Sequence, residues 1–252
     1  MYGYLSDGRY EVSDFDHYDT AAKKWVLKKG VADDSQVIGV VRPGSMKLKN
    51  ITQGDSLVTT ADRTVIGDAN PLNTGGFIIN ARVYGFDFSA NFNWSYGNKI
   101  YNANKIEYTS SSTYQYRNMT ADMADGIRWT NLKADGTISN NMDELAKMNA
   151  TTTMWSPYMN KYVFSDWAVE DGSYLRLSTV TLGYTLPHNL SKRLKIEKLR
   201  FYATGYNVFC LTKYSGFDPE VSTRRQTNLT PGVDYAAYPK SRQITIGLNL
   251  NF

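Results

Sequence analysis

Cysteine is nearly absent: Cys210 is the single one in 252 residues, which excludes an internal disulfide and a cysteine-based zinc site. Long apolar runs are missing as well. No stretch of eighteen apolar residues occurs and mean hydropathy is −0.44, so a transmembrane helix is excluded. A transmembrane barrel is not, because half of each barrel strand is polar. Blocks of one charge are lacking: net charge is +4, the pI is about 8.9, and no Lys/Arg run exceeds two residues, so nucleic acid is not indicated as a partner. Histidine is scarce, and neither His17 nor His188 has a partner at metal-ligand or catalytic spacing. No Ser/His/Asp or paired-carboxylate arrangement stands out, and no enzyme, cofactor or metal site is expected. Met1-Tyr2-Gly3-Tyr4 has neither the basic start nor the apolar run of an export signal. For an exported protein this predicts a piece of a longer chain.

What is present is tyrosine, 19 residues, with five tryptophans, and a clear alternation in several segments. In Arg242 to Phe252, Ile244, Ile246, Leu248, Leu250 and Phe252 share one face, while Gln243, Thr245, Gly247, Asn249 and Asn251 share the other. A period of two is a β-strand, since successive side chains leave the pleat on opposite sides. An uncharged polar face opposite an apolar one suits a strand with lipid outside and a wet lumen inside. A half-buried strand of a soluble sandwich alternates in the same way.

Residues 1–75 are polar and broken by Gly, Pro, Asp and Asn, which predicts mostly loop with short strands. Asp14-Phe15-Asp16-His17-Tyr18-Asp19 gathers carboxylates and a histidine, but without the glycine of a calcium loop it is expected to be a solvated turn. Residues 76–97 predict a strand pair. Phe77, Ile79, Ala81 and Val83 alternate with Asn80 and Arg82; Gly85 turns the chain; Phe86, Phe88, Ala90, Phe92, Trp94 and Tyr96 then oppose Asp87, Ser89, Asn91, Asn93 and Ser95. The eleven residues of Phe86–Tyr96 match the ~9–11 a tilted strand needs to cross a bilayer, with aromatics at both ends. Residues 98–171 predict a long polar connection with a helix near Asn141–Met148, where Asn or Asp could cap. Tyr174–Leu186 has Leu175 and Leu177 out of phase with Val180, Leu182, Tyr184 and Leu186, and a bulge near Ser178 would reconcile them. Pro187-His188-Asn189 begins a turn, and Lys198–Leu211 returns with Leu199, Phe201 and Ala203 in phase.

Connection lengths separate the two readings. Those at Gly85 and at 187–197 are short; those at 98–171 and 212–241 are long, and the two kinds alternate. Outer-membrane meanders have short periplasmic turns and long extracellular loops. A soluble sandwich has no reason to segregate loop lengths in this way.

Several motifs then resemble a known family. Asp171-Gly172-Ser173-Tyr174-Leu175-Arg176-Leu177 and Thr181-Leu182-Gly183-Tyr184-Thr185-Leu186-Pro187 are similar to the late barrel strands of the SusC/RagA-type TonB-linked outer-membrane transporters. Asn207-Val208-Phe209 with Tyr214-Ser215-Gly216-Phe217-Asp218-Pro219-Glu220, Thr230-Pro231-Gly232-Val233-Asp234-Tyr235, Tyr238-Pro239 and Gly247–Phe252 extend the match. Upstream, Arg42-Pro43-Gly44, Asp62-Arg63-Thr64-Val65-Ile66-Gly67 and Pro71 also resemble it. The family's acidic D-x-N-x-D-G loop is degraded at Asn50–Ser56.

The resemblance implies an all-β, antiparallel transmembrane β-barrel segment: about five C-terminal strands of a large plugged barrel, with long extracellular loops. Residues 1–75 would be mostly extracellular loop, 76–97 a strand pair, 98–171 a long extracellular loop and 172–252 the last three strands. The plug and TonB box are not in this chain. It further implies import of glycan or peptide fragments across the bacterial outer membrane. The implied partners are a SusD-like surface lipoprotein lid, the TonB complex through the missing N-terminal part, the remainder of the same barrel, and lipid. Candidate binding residues are Asn91 and Asn93, with Asn249 and Asn251, facing the lumen. Trp129, Trp155 and Trp167 could stack on sugar faces or pack the loop. The competing readings are a secreted β-sandwich module that binds glycans, and an outer-membrane barrel enzyme such as a lipase.

Overall fold

The computed structural model describes residues 1–111, 117–158, 161, 163–193, 195–221 and 231–252. The chain forms two compact units, one from residues 1–67 and 101–169 and the other from 68–100 and 170–252.

The second unit is built on five long strands: β1 (Asn73–Val83), β2 (Phe86–Tyr96), β3 (Tyr174–Thr185), β4 (Lys198–Thr212) and β5 (Gln243–Asn251). Their order in the sheet is their order in the chain, and each neighbouring pair is antiparallel. The expected five-strand meander is what forms, with β1 beginning at Asn73 rather than Gly76. Tyr84 and Gly85 make the β1–β2 turn at φ of 47° and 89°. Positive φ at both central residues matches the twist of the flanking strands, as in a type I′ hairpin. Gly85 meets the requirement without strain. Its carbonyl also accepts the amide of Thr185 at 2.7 Å, tying the turn to the end of β3.

The bulge expected near Ser178 is present. Leu177 pairs with Phe92 and Thr179 with Asn91, so Ser178 is an extra residue against β2. On the other side Leu177 pairs with Phe209 and Thr179 with Tyr206, which sets Asn207 and Val208 opposite Ser178, with Asn207 at φ 50°. Asparagine tolerates that left-handed conformation better than most residues. The shift brings Leu175 and Leu177 onto the face of Val180, Leu182 and Tyr184.

One face of the sheet is apolar from edge to edge. Phe77, Ile79, Ala81 and Val83 lie across from Phe92, Ala90, Phe88 and Phe86, and these from Leu177, Val180, Leu182 and Tyr184. The row continues through Phe209, Gly205, Ala203 and Phe201 to Ile244, Ile246 and Leu248. All five charged side chains of these strands (Arg82, Asp87, Arg176, Lys198 and Arg200) fall in the opposite phase. The apolar face is open: Ile246 is 84% exposed, Ile244 79% and Phe86 49%.

The β3–β4 connection differs from expectation. Residues 188–193 (His188–Arg193) are a short helix rather than a plain turn. Pro187 accepts the first-turn amides of Leu190 and Ser191, and lacking an N–H itself it loses nothing by preceding a helix.

The first unit carries only strands of two to five residues, paired as Tyr2–Gly3 with Thr64–Val65, Ser6–Arg9 with Met46–Leu48, and Phe15–Asp19 with Lys24–Leu27. Residues 1–67 are nevertheless not free loop. Tyr10, Phe15, Met46, Leu48 and Val58 share a buried core with Met123, Trp155 and Val163 from the segment read as a connection. Asp14–Asp19, expected as a turn, is mainly the outer strand of a hairpin. Asp14 binds Lys47 Nζ at 3.1 Å, and Asp19 accepts the amides of Ala21 and Ala22 at 2.9 Å in the turn itself. The helix expected near Asn141 forms as Met142–Met148, capped by Asn141 Oδ1 accepting from Glu144 N at 3.0 Å.

Candidate functional site

The polar face of the sheet carries two networks, one near each end. Near the β1–β2 turn, Arg200 Nε and Nη2 donate to the two oxygens of Asp87 at 2.8 and 2.5 Å. This bidentate pair joins β4 to β2 across β3, where a Cβ on Gly183 would strike both partners. The position is glycine because the ion pair runs directly over it. The same happens one strand on: the Tyr202 ring lies over Gly247 of β5, and the Arg200 guanidinium is 5.0 Å from that ring. A cavity of about 430 Å³ beside it is lined by Lys198, Arg200, Asn249 and Asn251 together with Leu248 and Leu250.

Near the long-loop end, Asn93 Nδ2 donates to the Tyr174 hydroxyl at 3.3 Å, and Tyr174 donates to Glu220 Oε1 at 2.8 Å. Ser178, the bulge residue, donates to Asn93 Oδ1, and Lys240 donates to Glu220 Oε2. Arg176 Nη2 bonds Asp218 Oδ1 at 2.6 Å with both side chains under a tenth exposed. Its Nε lies 3.0 Å from Glu220 Oε2, an ion-pair distance without hydrogen-bond alignment. Asp218 Oδ1 also accepts the Glu220 amide at 2.9 Å, bending the chain through Pro219. Burial opposes the charge on Glu220, but Lys240, Tyr174 and Arg176 outweigh it and hold its carboxyl below the usual range. Just before the corner, Tyr214 donates to Asp234 Oδ2 at 2.6 Å, and burial followed by that carboxylate pushes the phenol well up. Ser215 is held by Glu170, amide and hydroxyl each at 2.8 Å. The segment after β4 is therefore pinned back over the polar face by Tyr174 and Arg176 of β3 and by Glu170 just before it.

Asn91 is exposed on that face, Asn93 is engaged in the network, and Asn249 and Asn251 are exposed on β5. The three tryptophans fall in the other unit. Trp129 is 3% exposed, packed against Gly44 with the Arg9 guanidinium 4.8 Å from its ring. Trp155 is 4% exposed and meets half-buried Trp167 edge-on at 4.4 Å, with Lys105 Nζ 4.4 Å from the Trp167 ring. Neither Trp129 nor Trp155 offers a ring face to a solute. The sequence points to Phe217-Asp218-Pro219 as a rigid corner after β4, which Asp218 forms, but it does not single out Asp87, Arg200 and Tyr174 or the partners Arg176 and Glu220 that hold the corner. The signal was available in the strands, since their charges all share the polar phase. Among the described residues no group of three or more His, Cys, Asp or Glu side chains is placed to hold a metal. In the degraded loop, Asp62 Oδ1 takes the amides of Ile51 and Thr52 at 2.9 Å and the Thr52 hydroxyl at 2.8 Å.

A meander whose one face is uncharged, apolar and open, and whose other face holds every strand charge, is a wall section of a transmembrane β-barrel. No family model matches the chain. Curated proteins do: TonB-dependent receptor P3 of Formosa agariphila is 32% identical over 203 residues, 79% of this chain and 18% of the receptor. TonB-dependent receptor P39 of the same organism is 32% identical over 84% of this chain and 19% of its own length. TonB-dependent receptor SusC of Bacteroides thetaiotaomicron is 37% identical over 90 residues, 35% of this chain and 8% of SusC. Among solved structures, the RagAB peptide transporter aligns with the whole chain at TM-score 0.65 and 20% identity, over 22% of its own chain. The RagAB peptide importer in the closed-closed state gives 0.63 at 21%, over 23% of that chain. The chain is thus a relative of the SusC/RagA-type TonB-dependent receptors, and its match spans about a fifth of the length of receptors P3 and P39 and less of SusC.

Proposed function

We propose that this chain is a wall segment of a bacterial outer-membrane, TonB-dependent importer of glycan or peptide fragments. The observation that carries the reading is the open apolar face, uncharged across five strands, behind a polar face rich in donors and acceptors. Such a face is at home against lipid and would be buried in a secreted β-sandwich module. The names of the relatives support the transport role: three are TonB-dependent receptors, and the RagAB structures are of a peptide importer or transporter.

In this reading the short connections face the periplasm and the loops 98–171 and 212–241 face outward. A SusD-like lipoprotein lid docks on the outer loops, and the TonB complex acts through a part of the importer outside this chain. Residues 222–230 of the second loop lie outside the described residues. The wall does no chemistry. Its task is to hold a hydrated lumen open, with Asn91, Asn249 and Asn251 offering hydrogen bonds to a passing solute. The test is deletion of the full-length gene, followed by growth on defined oligosaccharides and peptides as sole nutrients. Growth should fail on one nutrient class and return with the wild-type gene, but not in a strain lacking TonB. The lid should co-purify with the importer. Undiminished growth on every nutrient, or rescue without TonB, would overturn the proposal.

A further inference from the structure

The described residues of the helical β3–β4 connection are held by local hydrogen bonds. Ser191 is buried, with its hydroxyl donating to His188 O at 3.1 Å and to Glu197 O at 3.3 Å. Its own carbonyl accepts Ile196 N at 3.1 Å, and Lys195 N donates to Lys192 O at 3.0 Å. The fold thus fixes Lys192, Arg193 and Lys195 at the surface, all exposed, and none has an ion-pair partner among the described residues. Leu190 on the same helix is 47% exposed.

The helix lies just past the last rungs of the apolar face. There Phe86 and Tyr184 meet ring to ring at 4.6 Å. Beside it is the β1–β2 turn with Tyr84, 95% exposed. This end of the sheet thus carries an aromatic pair, an exposed tyrosine in the turn tied to the end of β3, and, in the connection that follows β3, unpaired cations with one exposed leucine. Aromatic rings prefer the boundary between hydrocarbon and headgroups, and cations just beyond it are attracted by anionic lipid.

We propose that the connection between β3 and β4 is a binding surface for anionic phospholipid headgroups, with Lys192, Arg193 and Lys195 on the phosphates and Leu190 and Tyr84 at the acyl boundary. This rests on the membrane-wall reading, which sets the short connections at the periplasmic leaflet. Charge complementarity selects the occupant: two free cations on the last turn of the helix and a third just past its end suit an anionic headgroup, and a zwitterionic one gains less.

The experiment uses the full-length importer in nanodiscs containing phosphatidylglycerol and phosphatidylethanolamine, with retained lipid counted by native mass spectrometry. Wild type should enrich phosphatidylglycerol. The variant K192Q/R193Q/K195Q should lose that enrichment at least tenfold, while K192R/K195R keeps it. If the triple variant does not assemble, single glutamine variants should each lose enrichment a few-fold. Unchanged enrichment in the glutamine variants would overturn the proposal, as would displacement of the lipid by millimolar inorganic phosphate. Failure of the wild type to enter the nanodisc would instead overturn the membrane-wall reading on which it rests.

Discussion

Asp34 and Asp62 are both fully buried in the first unit, but their surroundings drive them in opposite directions. Burial raises Asp34 to about 7, although Leu48 N donates to its Oδ2 at 2.7 Å; its Oδ1 has no partner. Burial would raise Asp62 too, but amides and a hydroxyl from Thr59, Thr52 and Ile51 bring it down to about 2. The signs follow from proton binding. Between about pH 4 and 7 the folded state holds a proton on Asp34 that the unfolded state has released, so this group lowers stability as pH rises through that window. The contribution of Asp62 is present above about pH 4 and is lost as pH falls towards 2. From these two groups the unit is most stable near pH 4. The predicted check is a set of denaturant titrations of the full-length importer at several pH values, followed by tryptophan fluorescence. Four of the chain's five tryptophans (Trp25, Trp129, Trp155 and Trp167) lie in this unit. Asp34→Asn should flatten the limb between pH 4 and 7, where wild type loses roughly 2–4 kcal/mol. An unchanged slope would mean that Asp34 is ionised throughout.

Strand β3 shows how one residue sets the chemistry of two faces. Were Ser178 paired as a regular strand residue instead of bulged, Leu175 and Leu177 would turn to the polar side and Arg176 to the apolar one, because the side-chain period is two. Deleting Ser178 removes the extra residue and leaves Leu175, Leu177, Val180 and Leu182 in one unbroken alternation, so the full-length barrel should still assemble and keep its heat-modifiable band. Ser178→Ala keeps the register and should assemble, losing only the bond to Asn93. A deletion mutant that fails to assemble would show that the bulge does more than absorb one extra residue. Neighbouring positions on β2 give a second contrast. Ala90→Arg points a cation at lipid and should cost about 2–4 kcal/mol in lipid-based denaturation, whereas Asn91→Arg points to the polar side and should cost little. Equal costs would deny the strand a lipid face. These strands were legible because each runs nine to fifteen residues with one period, so apolar phase, turn and bulge could all be read locally. The first unit was not. Tyr10 and Phe15 find Met123 and Trp155 more than a hundred positions away, and strands of two to five residues are too short to show a period. Phe217-Asp218-Pro219 reads locally as a corner, but the Arg176–Asp218 pair that holds it was invisible for the same reason, since the two stand 42 positions apart. The helix at 188–193 is too short for a helical period to emerge from Pro187-His188-Asn189.

At the scale of the molecule, the decisive feature is that the sheet does not close. Among the described residues β1 pairs only with β2, and β5 only with β4, so both outer strands present rows of free N–H and C=O groups. In hydrocarbon each such group is costly, and only closed barrels or helices cross a bilayer. In water the same edges, flanked by an open apolar face, invite pairing between copies. Neither solvent suits the five strands alone, whereas the rest of a barrel would satisfy both edges at once. The 252-residue chain expressed by itself should therefore aggregate and fail to insert into liposomes, while the full-length protein folds in detergent and migrates as a heat-modifiable species. Supplying the remaining barrel as a separate polypeptide should restore part of the folded fraction, since the missing partners are backbone edges and not a covalent link. The measurement is gel mobility with and without heating, paired with sedimentation in detergent-free buffer. A monodisperse, heat-resistant 252-residue protein recovered from that buffer would show that the apolar face and both edges are satisfied within this chain, and the barrel-wall assignment would fall.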